Sequence, residues 1–118
     1  MKIAIIGASK NRQKYGNKAI RAYLRQDHTV YPVNPNESEI EGLKTYKSIL
    51  DIPDEIDRAS IYLPPHIVLS TLDEIAQKGV KELFFNPGSE SRENIDKAEQ
   101  LGLNVVIACS IIDIGETP

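Results

Sequence analysis

This sequence predicts an α/β fold: a doubly wound, five-stranded parallel sheet in three α/β/α layers. Three observations carry that prediction. Five short apolar, β-branched runs are spread through the 118 residues. Stretches of helical periodicity lie between most of them. Several of the runs end in glycine or proline, the residues that turn a chain out of a sheet. Short strands joined through helices require right-handed crossovers, which lay the strands parallel and cover both faces. The length suits one domain spanning residues 1–118, with a real core.

The elements follow in order. KIAIIG (2–7) reads as the first strand, closed by Gly7. NKAIRAYLRQ (17–26) sets Ala19, Ile20, Tyr23 and Leu24 on one face at helical spacing. TVYPVNP (29–35) is a second strand, closed by prolines. Residues 36–57 read as a loop with a short helix around Lys47–Ile52, stopped at Pro53. RASIYLPP (58–65) is the third strand. From His66 to Lys78, an apolar stripe of Ile67, Val68, Leu72, Ile75 and Ala76 predicts a helix with Gly79 as its stop. VKELFF (80–85) is the fourth strand. Ser91 is a fitting N-cap for a helix through Ile95, Ala98 and Leu101 to Gly102, and Glu93 and Asp96 suit its dipole. LNVVIAC (103–109) is the fifth strand. The tail SIIDIGETP begins apolar and is expected to be loose at its end.

Apolar residues make up 41% of the chain and charged ones 26%, the balance of an ordinary globular protein. No apolar run comes near the roughly 20 residues that span a bilayer, so no membrane role is expected. The apolar start MKIAIIGAS is too short for a signal sequence and enters a glycine turn. A single cysteine offers no disulfide framework, which makes a reducing cytoplasm the expected location. The net charge of −3 hides an asymmetry: residues 1–26 hold seven basic side chains and no acid. The rest keeps the other seven basic groups and all 17 acidic ones. A positive end on an acidic body points to a small anionic ligand rather than to nucleic acid, which needs an extended basic surface. A solvated basic helix face is the alternative.

In open parallel sheets, ligands bind beyond the carboxyl ends of the strands, where strand order reverses. That rule collects four loops: Gly7–Asn17, Asn34–Glu37, Leu63–His66 and Asn86–Ser91. The first, GASKNRQKYGN, is the most informative. Gly7 permits a tight turn and lets the backbone approach a ligand. Ala8 and Ser9 supply N–H groups and a hydroxyl. Gly16 lies where the helix begins, with free N–H groups and a positive dipole end. Lys10, Arg12 and Lys14 add charge at the same mouth, so the loop reads as a cradle for a pyrophosphate. A flexible connecting loop is the bland alternative. The dinucleotide pattern GxGxxG would need glycines at positions 9 and 12, which hold Ser9 and Arg12. The second strand ends on Asn34, not on the acid that grips the ribose of NAD, so plain NAD is disfavoured.

GASKNRQKYGN, VYPVNP, EIEGLKTYKSILDIP, IYLPP, NPGSES and the late Cys109, taken together, resemble the small stand-alone CoA-binding proteins. Their Rossmann-like domain is similar to the CoA-binding domain of the succinyl-CoA synthetase α-subunit. The resemblance runs through nearly the whole chain. It implies CoA, or acyl-CoA, as the nucleotide ligand, with its phosphates on Gly7, Ala8, Ser9, Lys14, Tyr15 and Gly16. It implies adenosine against Val33, Asn34 and Pro35, and the pantetheine arm along Leu63, Pro64 and Pro65. Strand termination is the simpler role for each of these prolines. Relatives often carry a lysine just after the Asn-Pro of the second strand, suited to the 3′-phosphate; this chain has Asn36 and Glu37. Arg12, where relatives often have proline, is a candidate to supply that charge from the other loop.

Catalytic groups are thin. Cys109 ends the fifth strand within expected reach of a ligand, but Ala108 and Ser110 give it no base or cation. It reads as a thiol lining the pocket. His66 opens a helix beside the third loop and reads as solvated; His28 lies in a turn at the far edge. No His, Cys, Asp and Glu spacing suits a metal. The expected function is therefore a non-catalytic CoA-binding or regulatory module. Two alternatives stay open: a degenerate nucleotide-binding domain serving as an interaction surface, and a subunit of an enzyme that uses NAD(P) or another nucleotide.

Overall fold

A computed structural model describes all residues, 1–118. Five parallel strands form the main sheet: β1 (Lys2–Ile6), β2 (Thr29–Val33), β5 (Arg58–Ile61), β6 (Glu82–Phe85) and β7 (Val105–Ile107), in the order β2-β1-β5-β6-β7. Between them a two-stranded hairpin, β3 (Glu39–Ile40) and β4 (Leu43–Lys44), follows β2. The doubly wound α/β expectation holds. β1 shows why it was legible: a central strand is buried on both faces, so its side chains run apolar without a break. Ala4 and Ile6 enter one core and Ile3 and Ile5 the other, following the two-residue alternation of a strand.

The two cores are covered by different helices. Over one face lie α2 (Pro65–Val68), α3 (Leu72–Lys78) and α4 (Arg92–Gln100); Val68, Leu72, Ile75 and Ala98 pack into its cluster. Over the other lie α1 (Tyr15–Arg25) and the single-turn α5 (Ser110–Asp113); Ala19, Ile20, Ala22, Tyr23 and Ile111 fill it. Leu24, expected on the buried face of α1, is 37% exposed, and Ala22 takes the inward place. The Ser91 hydroxyl caps α4 by accepting the Asn94 N–H at 3.1 Å, and Gly79 ends α3 at a left-handed φ of 80°. No helix is long and apolar enough to cross a membrane.

Four expectations are corrected. The loop after β2 contains the β3–β4 hairpin, turned through Glu41 and Gly42 at φ 51° and 76°. A type I′ hairpin turn needs both central residues in that region, and glutamate gives no sequence signal of it. The short helix expected at Lys47–Ile52 is a single 3₁₀ turn, Ile49–Asp51, capped by the Ser48 hydroxyl. The helix expected from His66 starts at Pro65 and is interrupted by a 3₁₀ turn at Leu69–Thr71. Here the hydroxyls of Ser70 and Thr71 donate to the carbonyls of Ile67 and Val68 at 2.9 and 2.7 Å. The C-terminal tail is tied down rather than loose. Glu116 pairs with Arg25 at 2.8 Å, the Gln26 amide donates to the Ile114 carbonyl at 2.7 Å, and Asp113 pairs with Arg58 at 2.8 Å.

Asp57 fastens the start of β1 to the chain before β6. Its carboxylate accepts the Lys2 N–H at 2.8 Å and pairs with Lys81 at 3.1 Å. The Lys2 bond first, and then Lys81, hold its pKa below the usual carboxylate value. The folded state therefore favours the ionised form. The resulting stability is present above the unfolded carboxylate pKa, about 4, and is lost as pH falls through the lowered folded value. Asp57→Asn should cost about 1 kcal/mol at pH 7. In urea titrations at pH 7 and pH 3, the gap between variant and parent should narrow at the lower pH.

Candidate functional site

Strand order reverses between β1 and β5, and there the carboxyl ends of β1, β2, β5 and β6 open into a cleft of about 1050 Å³. This is the position the topology assigns to a ligand, with room for a large one. Its first wall is the loop from Gly7 to Gly16. Gly7 has φ +91°, and a side-chain carbon there would lie 2.5 Å from the Tyr62 carbonyl oxygen. One on Gly16 would lie 2.5 Å from the Gly7 carbonyl oxygen. The glycines thus bring the ends of β1 and β5 and the start of α1 into direct backbone contact. Gly7 thus makes the tight turn expected of it, packed directly on the backbone that leaves β5.

The loop's polar groups are sorted by direction. Carbonyls are tied back into the protein: the Asn34 amide donates to the Ala8 oxygen at 2.9 Å, Asn17 to Ser9 at 2.8 Å, and Arg21 to Arg12 at 2.7 Å. The N–H groups of Ser9, Tyr15 and Gly16 have no acceptor in the protein. All three residues line the cleft, at the N-terminal end of an 11-residue helix with no acid in its first turn. Free N–H groups, the positive dipole end and the Lys14 ammonium together offer donors and charge that could hold an anion. Lys14 takes part in no ion pair, whereas Lys10 pairs with Glu37 at 2.9 Å and Arg12 with Glu41 at 3.6 Å.

The second wall is Val33–Asn36. The Val33 carbonyl accepts the N–H groups of Gly7 and Ala8, each at 3.2 Å, and the Asn34 side chain also accepts the Asn36 N–H at 2.8 Å. Opposite stand Tyr62, Leu63, Pro64 and Pro65. The Tyr62 hydroxyl lies 2.9 Å from the Ser110 Oγ, which is 2.7 Å from the Ser60 Oγ. Burial, more than any partner, pushes the Tyr62 phenol up to about 12, so it stays neutral at physiological pH. Buried Asn86 locks this corner, donating to Ser60 and to the Ile61 carbonyl, both at 2.8 Å, and accepting the Ser110 N–H at 2.8 Å. The floor comes from Ser48, Ile49, Ser70, Thr71, Glu74 and Ile75, where the Ser48 hydroxyl donates to Glu74 at 3.0 Å.

The profile of the CoA binding domain matches residues 1–114. The chain belongs to this CoA-binding domain family. Among its relatives, the α-subunit of acetate–CoA ligase [ADP-forming] II of Pyrococcus furiosus is 38% identical over 115 residues, covering 88% of this chain and 25% of that subunit. The acetate–CoA ligase [ADP-forming] of Methanocaldococcus jannaschii is 44% identical over 79 residues, covering 67% of this chain and 11% of the ligase. The CoA-binding domain therefore spans a quarter or less of these curated relatives. A solved structure of a conserved hypothetical protein from Pyrococcus furiosus superposes with a TM-score of 0.88 at 39% identity, covering 95% of this chain and 97% of that one. Dinucleotide-forming acetyl-coenzyme A synthetase 1 of Ca. Korarchaeum cryptofilum, in complex with phosphate and ADP, superposes with 0.79 at 34% identity, covering 89% and 25%.

In this CoA-binding domain, most of the sequence-selected residues meet at the cleft, and Lys10, Arg12 and Cys109 do not. Gly7, Ala8, Ser9, Lys14, Tyr15, Gly16, Val33, Asn34, Pro35, Leu63, Pro64 and Pro65 all line it. Arg12 is paired with Glu41 of the hairpin turn at 3.6 Å and does not line the cleft. Cys109 also lies off the cleft, packed against the α1-side core, and His66 is exposed outside it. Sequence reasoning missed Lys47, Ser48, Glu74 and Tyr62 as lining residues, and Asn17 as the loop's clamp. Asn17 stood in the quoted KYGN stretch, and its complete burial is what marks it.

Proposed function

We propose that residues 1–118 form one domain that binds CoA or an acyl-CoA through the first βα loop, as a binding module rather than a catalyst. The observation that carries the reading is the set of free N–H groups of Ser9, Tyr15 and Gly16 beside the unpaired Lys14 at the cleft. That set suits a diphosphate in charge and in direction. Gly7 and Ala8 bring the loop backbone close to the same phosphates. The adenosine lies against Val33, Asn34 and Pro35, over the floor of Ile49 and Ile75. The pantetheine arm runs along Leu63, Pro64 and Pro65, whose rigid apolar surfaces cost little entropy to present.

Calorimetric titration of the purified protein with CoA, beside NAD, tests the assignment. Saturable CoA binding and much weaker NAD binding are expected, because no acid at the end of β2 grips the ribose diol. Lys14→Met should weaken CoA about tenfold, the value of one charge-assisted contact to phosphate. An absence of binding heat with CoA, together with no shift of the melting temperature at millimolar ligand, would overturn the assignment.

A further inference from the structure

Resting on the CoA reading, we propose that Lys47 is the cation that recognises a phosphomonoester on the adenosine ribose, making the cleft prefer CoA over dephospho-CoA. The charged side chains lining the cleft number three: Lys14, Lys47 and Glu74. Lys14 sits at the diphosphate cradle on the α1 side. Lys47 belongs to a different wall. The residue before it, Tyr46, is zipped onto the end of β2: its N–H donates to the Pro32 carbonyl and its carbonyl accepts the Asn34 N–H, both at 2.9 Å. The next residue, Ser48, forms the floor. This backbone holds Lys47 beside the end of β2, where nucleotide-binding sheets place the ribose of adenosine and where a cation accommodates a ribose phosphate.

The other two cations of the first loop, Lys10 and Arg12, are each paired with an acid. Asn36 and Glu37 follow β2 directly without a cation, and Glu37 is occupied by Lys10. Arg12 is held by Glu41. Lys47 itself takes part in no ion pair, and the only carboxylate lining the cleft, Glu74, accepts from Ser48. An exposed, unpaired ammonium at that place is free to meet a group carrying about −1.5 to −2 charge at neutral pH.

The test is a set of titrations at low ionic strength with CoA, dephospho-CoA, NADP and NAD. The parent protein should bind CoA roughly tenfold more tightly than dephospho-CoA. Lys47→Met should remove that preference, weakening CoA while leaving dephospho-CoA within about twofold; Lys47→Arg should keep it; Arg12→Met should not alter it. Circular dichroism checks that the exposed substitution leaves the fold intact. Equal binding of CoA and dephospho-CoA by the parent, or an unchanged ratio in Lys47→Met, overturns the role of Lys47 and leaves the CoA assignment standing. Failure of the parent to bind either overturns both. NADP binding as tight as CoA would show that the ribose phosphate is read without the pantetheine arm, contradicting the CoA reading while supporting Lys47.

Discussion

Gly7→Ala is expected to lower stability by about 3 kcal/mol and the melting temperature by roughly 12 °C. Two costs add. At φ +91° an alanine pays the strain of the left-handed region, about 1–2 kcal/mol. Its Cβ would also sit 2.5 Å from the Tyr62 oxygen and 2.9 Å from the Tyr62 carbon. Those are backbone atoms of the chain leaving β5, so relief requires moving β5 away from β1. That movement strains the bond from the Tyr62 N–H to the Ile6 carbonyl, 2.7 Å long. Overpacking of this kind costs about 1–3 kcal/mol. Gly88→Ala separates the terms: φ there is +95°, yet nothing lies within 4 Å of the added carbon. It should cost only the strain, about 1 kcal/mol. Thermal melts of the two variants side by side decide the matter. If they coincide, the junction of β1, β5 and α1 is soft and the steric argument fails. CoA binding should be lost in Gly7→Ala and kept in Gly88→Ala.

Arg58→Met is the second large effect, about 2–3 kcal/mol. Arg58 is 6% exposed at the start of β5, stacked over the Phe84 ring at 4.2 Å. Its guanidinium donates to the Tyr23 hydroxyl at 3.1 Å and pairs with Glu82 at 3.1 Å and Asp113 at 2.8 Å. Breaking a fully buried pair costs about 3–5 kcal/mol. The value here is reduced because Glu82 and Asp113 are 35% and 43% exposed and would be rehydrated. Arg58→Lys should recover little, since one ammonium cannot span three partners and a ring face. Urea titration gives the magnitude. Hydrogen exchange gives the place: the C-terminal end of α5 should lose protection first, because Asp113 ties that end to β5. A loss spread evenly over all elements would contradict that picture.

Legibility followed burial. β1, β5 and β6 announced themselves because central strands are apolar on both faces, and the loops after β1, β2 and β5 were placed by topology alone. What stayed hidden depends on partners distant in sequence. Arg12 looked like a free cation until Glu41 was found beside it, and Glu41 could reach it only through a hairpin that no glycine or asparagine announced at its first turn position. Lys47 and Glu74 carried no local signal, because the floor of the cleft is assembled after β4 and from α3, far along the chain from the loops. Asn17 and Asn34 were read as part of a binding motif, yet their amides are spent on holding carbonyls of the first loop. Arg58 stood inside an apolar strand with no pattern to set it apart.

The ion pairs of Lys10 with Glu37 and Arg12 with Glu41 give the first loop its own counterions. Of its three cations, two are compensated on the outer side and one, Lys14, faces the cleft uncompensated. Seen from several ångströms away, the loop is close to electrically neutral; seen from inside the cleft, it is positive. A bulky polyanion passing over the surface therefore meets little net attraction, while an anion narrow enough to enter meets the full charge. Neutralising Glu37 and Glu41 would leave two further cations uncompensated and extend the loop's positive charge to its outer side.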